Sequence, residues 1–303
     1  MVFFSQEPER YERPTSAHVP ATPELMAACS EAVAFFTETA MGVFATGFSL
    51  GTGADEAVIR ATSKGLERAR RLTVHRIGTG AAQLAWKNGL DHLAAVAADL
   101  QRDPFPVWSS TTLVRAALEA EATFIYLLVP KSEVYLRLAR IAGLELTDAE
   151  HRIKLAKDLG PEFETAAQKR REKLLKIYRQ AGIETVPGRK PSIIAGMRVE
   201  RAQAPMDISF TDEVRKFWPT ELPGPYRMLS GAAHSRNWVL GSWDEFKATG
   251  ATALHVMQTA GQIVETWLER WEEYAEVSTS EEREQVRKRC ASVGAHFIYR
   301  AGS

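Results

Sequence analysis

The chain has 303 residues, enough for one large helical domain or two smaller ones. Its 38 Lys and Arg balance 38 Asp and Glu, so it lacks the positive excess with which a protein coats nucleic acid or an anionic membrane; a local basic groove is still compatible with that total. The two cysteines, Cys29 and Cys290, lie near opposite ends, form no metal-knuckle spacing, and read as buried thiols of a reducing cytoplasm.

Residues 1–21 are polar and proline-bearing and read as a flexible N-terminal arm. The stretch Met1–Arg10 has no basic region followed by an apolar core, so no signal peptide is expected. No run reaches the roughly 18 uninterrupted apolar residues of a membrane span, and the expected location is the cytoplasm. Thr22 is placed to cap a helix with Pro23 at its first position, where the missing N–H costs nothing. Apolar residues from Leu25 to Phe48 predict a buried helix, ended by the glycines between Gly47 and Gly53. Residues 55–100 keep the helical period, with a break or bend expected at Gly78-Thr79-Gly80. Arg68, Arg70 and Arg71 read as a solvated helix face.

Pro104 and Pro106 mark a turn, after which Ser109 or Ser110 starts a strongly apolar helix reaching Val129. Inside it Arg115 and Glu119 are four residues apart and share a face, either as an ion pair that fixes packing or as groups offered to a cleft. A shorter helix is expected over 132–142. Thr147-Asp148-Ala149-Glu150 then reads as a capping box that starts another. Pro161 opens a long charged helix to Gln180, expected on the outside or in an αα-hairpin. Prolines and glycines interrupt 182–210, an irregular connector or subdomain boundary in which Ile193-Ile194 begins a short helix or strand. Short and long helices follow over 211–218 and 252–276, and Ser278, Thr279 or Ser280 caps the last one. The expected fold is all-α, a multi-helix bundle. Residues 22–181 supply its N-terminal and central helices, and 211–303 complete it.

Small, aromatic and ionisable residues come together at Tyr226-Arg227-Met228-Leu229-Ser230-Gly231-Ala232-Ala233-His234 in a way that helix building alone does not require. Pro225 suits a helix start, which puts Arg227 in a first turn where exposed N–H groups disfavour a cation and an acid partner, Glu119, is expected. His234 follows Arg227 by two helical turns, so the two share a face with Ser230 between them. The pair could hydrogen-bond across a core, hold a ligand together with Arg115, Tyr226, Ser230, Asn237 and Trp238, or act on a phosphodiester. The scattered histidines show no metal-ligand spacing, and no cofactor is implied.

Arg115…Glu119 followed by Tyr226-Arg227-Met228-Leu229-Ser230…His234 resembles a group of uncharacterised all-helical proteins common in actinobacteria. More loosely, Arg227 and His234, with six residues between them, resemble the HEPN superfamily of helical bundles. That resemblance implies a HEPN-like core and a metal-independent ribonuclease of a toxin or phage-defence system, working as a homodimer. Arg227 would stabilise phosphate charge, His234 would move the proton and Glu119 would orient the arginine. Met228 stands where active members carry a polar residue. The reading of the residues themselves favours a helical protein that acts through a protein partner or self-association. RNA enters only under the ribonuclease alternative.

Overall fold

Thr22 and Pro23 start the first helix as their chemistry requires: the Leu25 amide donates to Thr22 Oγ1 at 3.2 Å and proline occupies the first turn. A computed structural model describes residues 21–128, 134–190, 193–217 and 250–301, and the backbone alone at 46–52, 215, 217 and 295–301. Helix α1 runs over Pro23–Thr62, and its 40 residues span about 60 Å at 1.5 Å each. It does not stop at Gly47–Gly53. A helical glycine costs only about 1 kcal/mol relative to alanine, and the second half of α1 buries Ile59, which offsets that cost. The helix ends at Ser63, whose hydroxyl donates to the Ile59 carbonyl at 2.5 Å.

Helix α2 (Gly65–Asp99) runs unbroken through Gly78-Thr79-Gly80. A Cβ on Gly78 would lie 2.2 Å from Ile141, so this glycine serves close approach between two helices and is not a breaker. Helix α3 spans Val107–Leu127. It starts two residues before the expected serines, whose hydroxyls instead reach back to Asp99 Oδ2 at 2.9 and 3.1 Å. Helix α4 (Val134–Leu159) is one element where two were expected. The supposed capping pair is used elsewhere: Thr147 Oγ1 donates to the Met206 carbonyl at 2.7 Å, and Glu150 accepts from Arg171 at 2.6 Å. Helix α5 (Pro161–Gln180) forms an αα-hairpin with α4 and buries Leu174 and Tyr178.

Residues 183–205, expected as part of an irregular connector, form a three-stranded antiparallel meander: β1 (Ile183–Pro187), β2 (Ile194–Val199) and β3 (Ala202–Pro205). Ile183 faces Val199 and Val199 faces Ala202, and the sheet lies on α4. Its apolar residues are too few to show the alternation by which strands are read. A short helix, α6 (Phe210–Phe217), follows with Ser209 as its cap, accepting from the Glu213 amide at 2.9 Å. Helices α7 (Gly250–Ala275) and α8 (Ser280–Ala301) complete the described chain.

The molecule is therefore all-α in class, a multi-helix bundle with one small sheet on its flank. Helices α1, α2, α3 and α7 pack in a ring, α8 covers α1 and α7, and α4 leans on α2. Each helix of the ring sends one aromatic side chain to its centre. Phe44 stacks on Trp86 at 4.3 Å and meets Phe124 at 5.3 Å and Trp271 at 4.9 Å. Such pairs add roughly 0.5–1.5 kcal/mol each beyond the area they bury. Cys29 is buried and Cys290 half-buried, and burial pushes both thiols up to about 12. Among the described residues no helix is long and apolar enough to cross a membrane.

Candidate functional site

Four of the helices deliver a polar side chain to one buried point. Asp55 of α1 is nearly inaccessible, so its carboxylate needs partners. His75 of α2 provides one, with Nε2 3.0 Å from Asp55 Oδ2. Arg137 of α4 grips both oxygens, Nε donating to Oδ2 at 2.9 Å and the terminal nitrogen to Oδ1. Tyr274 of α7 brings its hydroxyl to 3.5 Å from Oδ2 and lays its ring 5.7 Å from the Arg137 guanidinium carbon. Burial pushes the Asp55 carboxyl up, but His75 and Arg137 outweigh it and hold the group below the usual carboxylate range. Burial, and then the Asp55 charge, raise the Tyr274 phenol, which stays protonated and donates to the carboxylate. His75 Nδ1 is buried without a hydrogen-bond partner.

A second guanidinium backs this cluster. Arg71, one helical turn before His75 on α2, is 1% exposed. It donates to the Ala181 carbonyl at 2.9 Å, pairs with Glu67 at 2.6 Å and Glu200 at 3.0 Å, and lies 5.2 Å from the Tyr135 ring centre. The sequence reading of Arg68, Arg70 and Arg71 as a solvated face is thus corrected: Arg71 is buried, and Arg70 holds Gln180 at 2.9 Å. Glu200 sits in the tight β2–β3 turn with φ +52°, a left-handed conformation that costs a non-glycine residue about 1–2 kcal/mol. Its ion pair with Arg71 favours the strained turn.

The Asp55–Arg137 pair forms the polar floor of an open cavity of about 710 Å³. Ala54, Val58, Val134 and Tyr135 make its apolar wall, and the turn residues Glu200 and Arg201 stand at its rim. The two carboxylates of the lining are each held by a guanidinium, Arg137 or Arg71, whereas the exposed Arg201 side chain makes no ion pair or hydrogen bond among the described residues. A cavity of this size falls in the range of about 300–1,000 Å³ that small-molecule sites occupy. His75 is closed off from solvent, and its contact holds the Asp55 carboxylate in place. Among the described residues no three His, Cys, Asp or Glu gather to hold a metal ion.

Of the residues singled out from the sequence, Arg115 and Glu119 are described and do pair, Nε to Oε1 at 2.8 Å along α3. Tyr226, Arg227, Ser230, His234, Asn237 and Trp238 lie outside the described residues. The sequence reading missed Asp55, Arg71, Arg137 and Tyr274, and passed over His75 as one scattered histidine. The one local signal was Arg71 and His75, four apart on a helix whose neighbours Leu72 and Val74 are buried. No protein family, curated protein or solved structure matches this chain.

Proposed function

We propose that this helical protein is a binding protein that takes up a small organic anion in the cavity between α1, α4 and the β2–β3 turn. Within the binding role expected from the sequence, a small molecule suits a concave site with a preset polar floor better than a flat partner does. The observation that supports it is the pairing pattern: Asp55 is held by Arg137, Glu200 shares Arg71 with Glu67, and Arg201 at the mouth is a cation with no ion pair among the described residues. A carboxylate or phosphate monoester would meet Arg201 at the rim and lay its apolar body on Val58, Val134 and Tyr135. The test is calorimetric titration with benzoate, hexanoate and phenyl phosphate, beside the neutral hexanamide. At least one anion should bind saturably, and Arg201→Ala or Val58→Trp should weaken it about tenfold or more while circular dichroism is unchanged. Silence from all three anions at millimolar concentration, or binding indifferent to both substitutions, would sink the reading.

A second reading is the HEPN-like, metal-independent ribonuclease. One observation favours it: Glu119 of α3, 29% exposed, holds the Arg115 guanidinium at 2.8 Å, the kind of contact assigned to it with Arg227. Cleavage of mixed single-stranded and structured RNAs without added metal, abolished by both Arg227→Ala and His234→Ala in folded protein, supports this reading. Cleavage unaffected by either removes it for these residues.

A further inference from the structure

We infer that a second cavity, of about 540 Å³ between α2, α4 and the β3–α6 connection, is a binding site for a small organic amine or guanidine with a short apolar tail. This inference does not depend on the first cavity. One wall is apolar. Leu84 of α2 lies 69% exposed there, beside Ala81, and Ile208 and Phe210 are also in the lining. The other wall is acidic. Three carboxylates, Glu145, Asp148 and Asp207, line it against one guanidinium, Arg152, so acidic groups outnumber arginines in the lining.

Glu145 is the informative group. It is half-buried in the middle of α4, and among the described residues its carboxylate makes no hydrogen bond and no ion pair. Burial, and then the neighbouring Asp148, push its pKa up, while Arg152 and Arg170 pull it down without overcoming that rise. A carboxylate partly withdrawn from water beside a second carboxylate is disfavoured in its charged form. An ammonium or guanidinium head would supply both the charge and the N–H donors.

The wall that carries Asp207 is fastened in place. Gly143 has no Cβ, and one there would lie 2.6 Å from the Pro205 carbonyl oxygen, so the strand end can press on α4. One turn later Thr147 Oγ1 donates to the Met206 carbonyl at 2.7 Å. Asp207 then accepts from the Ile208 amide at 2.8 Å, which leaves carboxylate lone pairs for a ligand. The chemistry fits an organic cation and not a metal ion, because no three ligating groups gather here among the described residues.

The probe is hexylamine hydrochloride, titrated calorimetrically into the full chain at neutral pH, with hexan-1-ol as the neutral control of equal tail. Hexylamine should bind saturably with one site per chain, and hexanol about tenfold or more weaker. Glu145→Gln should cost about tenfold, and since Glu145 has no partner to lose, that variant should fold as the wild type does. Leu84→Gln should weaken the amine independently of charge. Val58→Trp, which fills the first cavity, should leave amine binding unchanged. Absence of saturable hexylamine binding at millimolar concentration, or equal binding by wild type and Glu145→Gln, overturns the assignment.

Discussion

Removing one charge of the Asp55–Arg137 pair strands the other in the interior, which typically costs about 3–5 kcal/mol. Arg137→Met should therefore lower stability by that order. Asp55→Asn in the same chain should recover part of it, because the uncompensated carboxylate is then gone. Chemical denaturation of the two single variants and the double variant measures this, and additive losses would mean that the pair does not act as a unit. The same carboxyl sets a pH dependence. Its folded pKa is depressed, so the stability it contributes is present above the ordinary carboxylate range, near pH 4, and is lost as pH falls through the folded value. The difference in Tm between wild type and Asp55→Asn should shrink as pH is lowered from about 7 to about 3. A difference that stays constant would assign the loss to packing and not to charge.

At the scale of elements, the glycines separate what a sequence shows from what it hides. Proline and hydroxyl signals act locally, and the starts at Thr22-Pro23 and Pro161 were legible because Thr22 accepts from the Leu25 amide and a proline gives up no hydrogen bond in a first turn. Gly78 and Gly143 look the same in sequence as helix breakers, yet both sit inside helices where another element comes within contact distance. Only the partner, 63 residues away in one case, gives them meaning. Gly78→Ala should cost about 1–3 kcal/mol through the clash with Ile141, and Ile141→Ala in the same chain should remove most of that clash. Thermal denaturation of the pair distinguishes this from lost helix flexibility, for which alanine alone would stabilise. The β2–β3 turn gives the converse case. Glu200→Gly relieves the positive φ but gives up the Arg71 contact, so stability should change by less than about 1 kcal/mol. Glu200→Val keeps the strain and loses the contact, and should be clearly worse.

At the scale of the molecule, a pattern reading finds the bundle because burial of apolar stripes drives it, and misses the site because local spacing does not distinguish a buried polar residue from a solvated one, as with Arg71. Asp55, Arg71, His75 and Arg137 are all buried, and each has at least one partner on another element. Their convergence depends on the packing of α1, α2, α4 and α7, which no local rule contains. The packing also joins the site to the core. Trp271, part of the central aromatic group, lies 5.8 Å ring to ring from Tyr274, whose hydroxyl faces Asp55. Trp271→Ala should cost about 3–5 kcal/mol as a large-to-small core change. It should also loosen the tyrosine that covers the Asp55–Arg137 pair. In a double-mutant cycle with Asp55→Asn, the two losses should therefore fall short of additivity by about 0.5 kcal/mol or more. Tyr274→Phe should remove most of that shortfall, because it deletes the hydroxyl through which the two sites communicate and keeps the ring. Full additivity with Tyr274 intact would separate the site from the core, and a shortfall that survives Tyr274→Phe would route the coupling through the ring stacking instead.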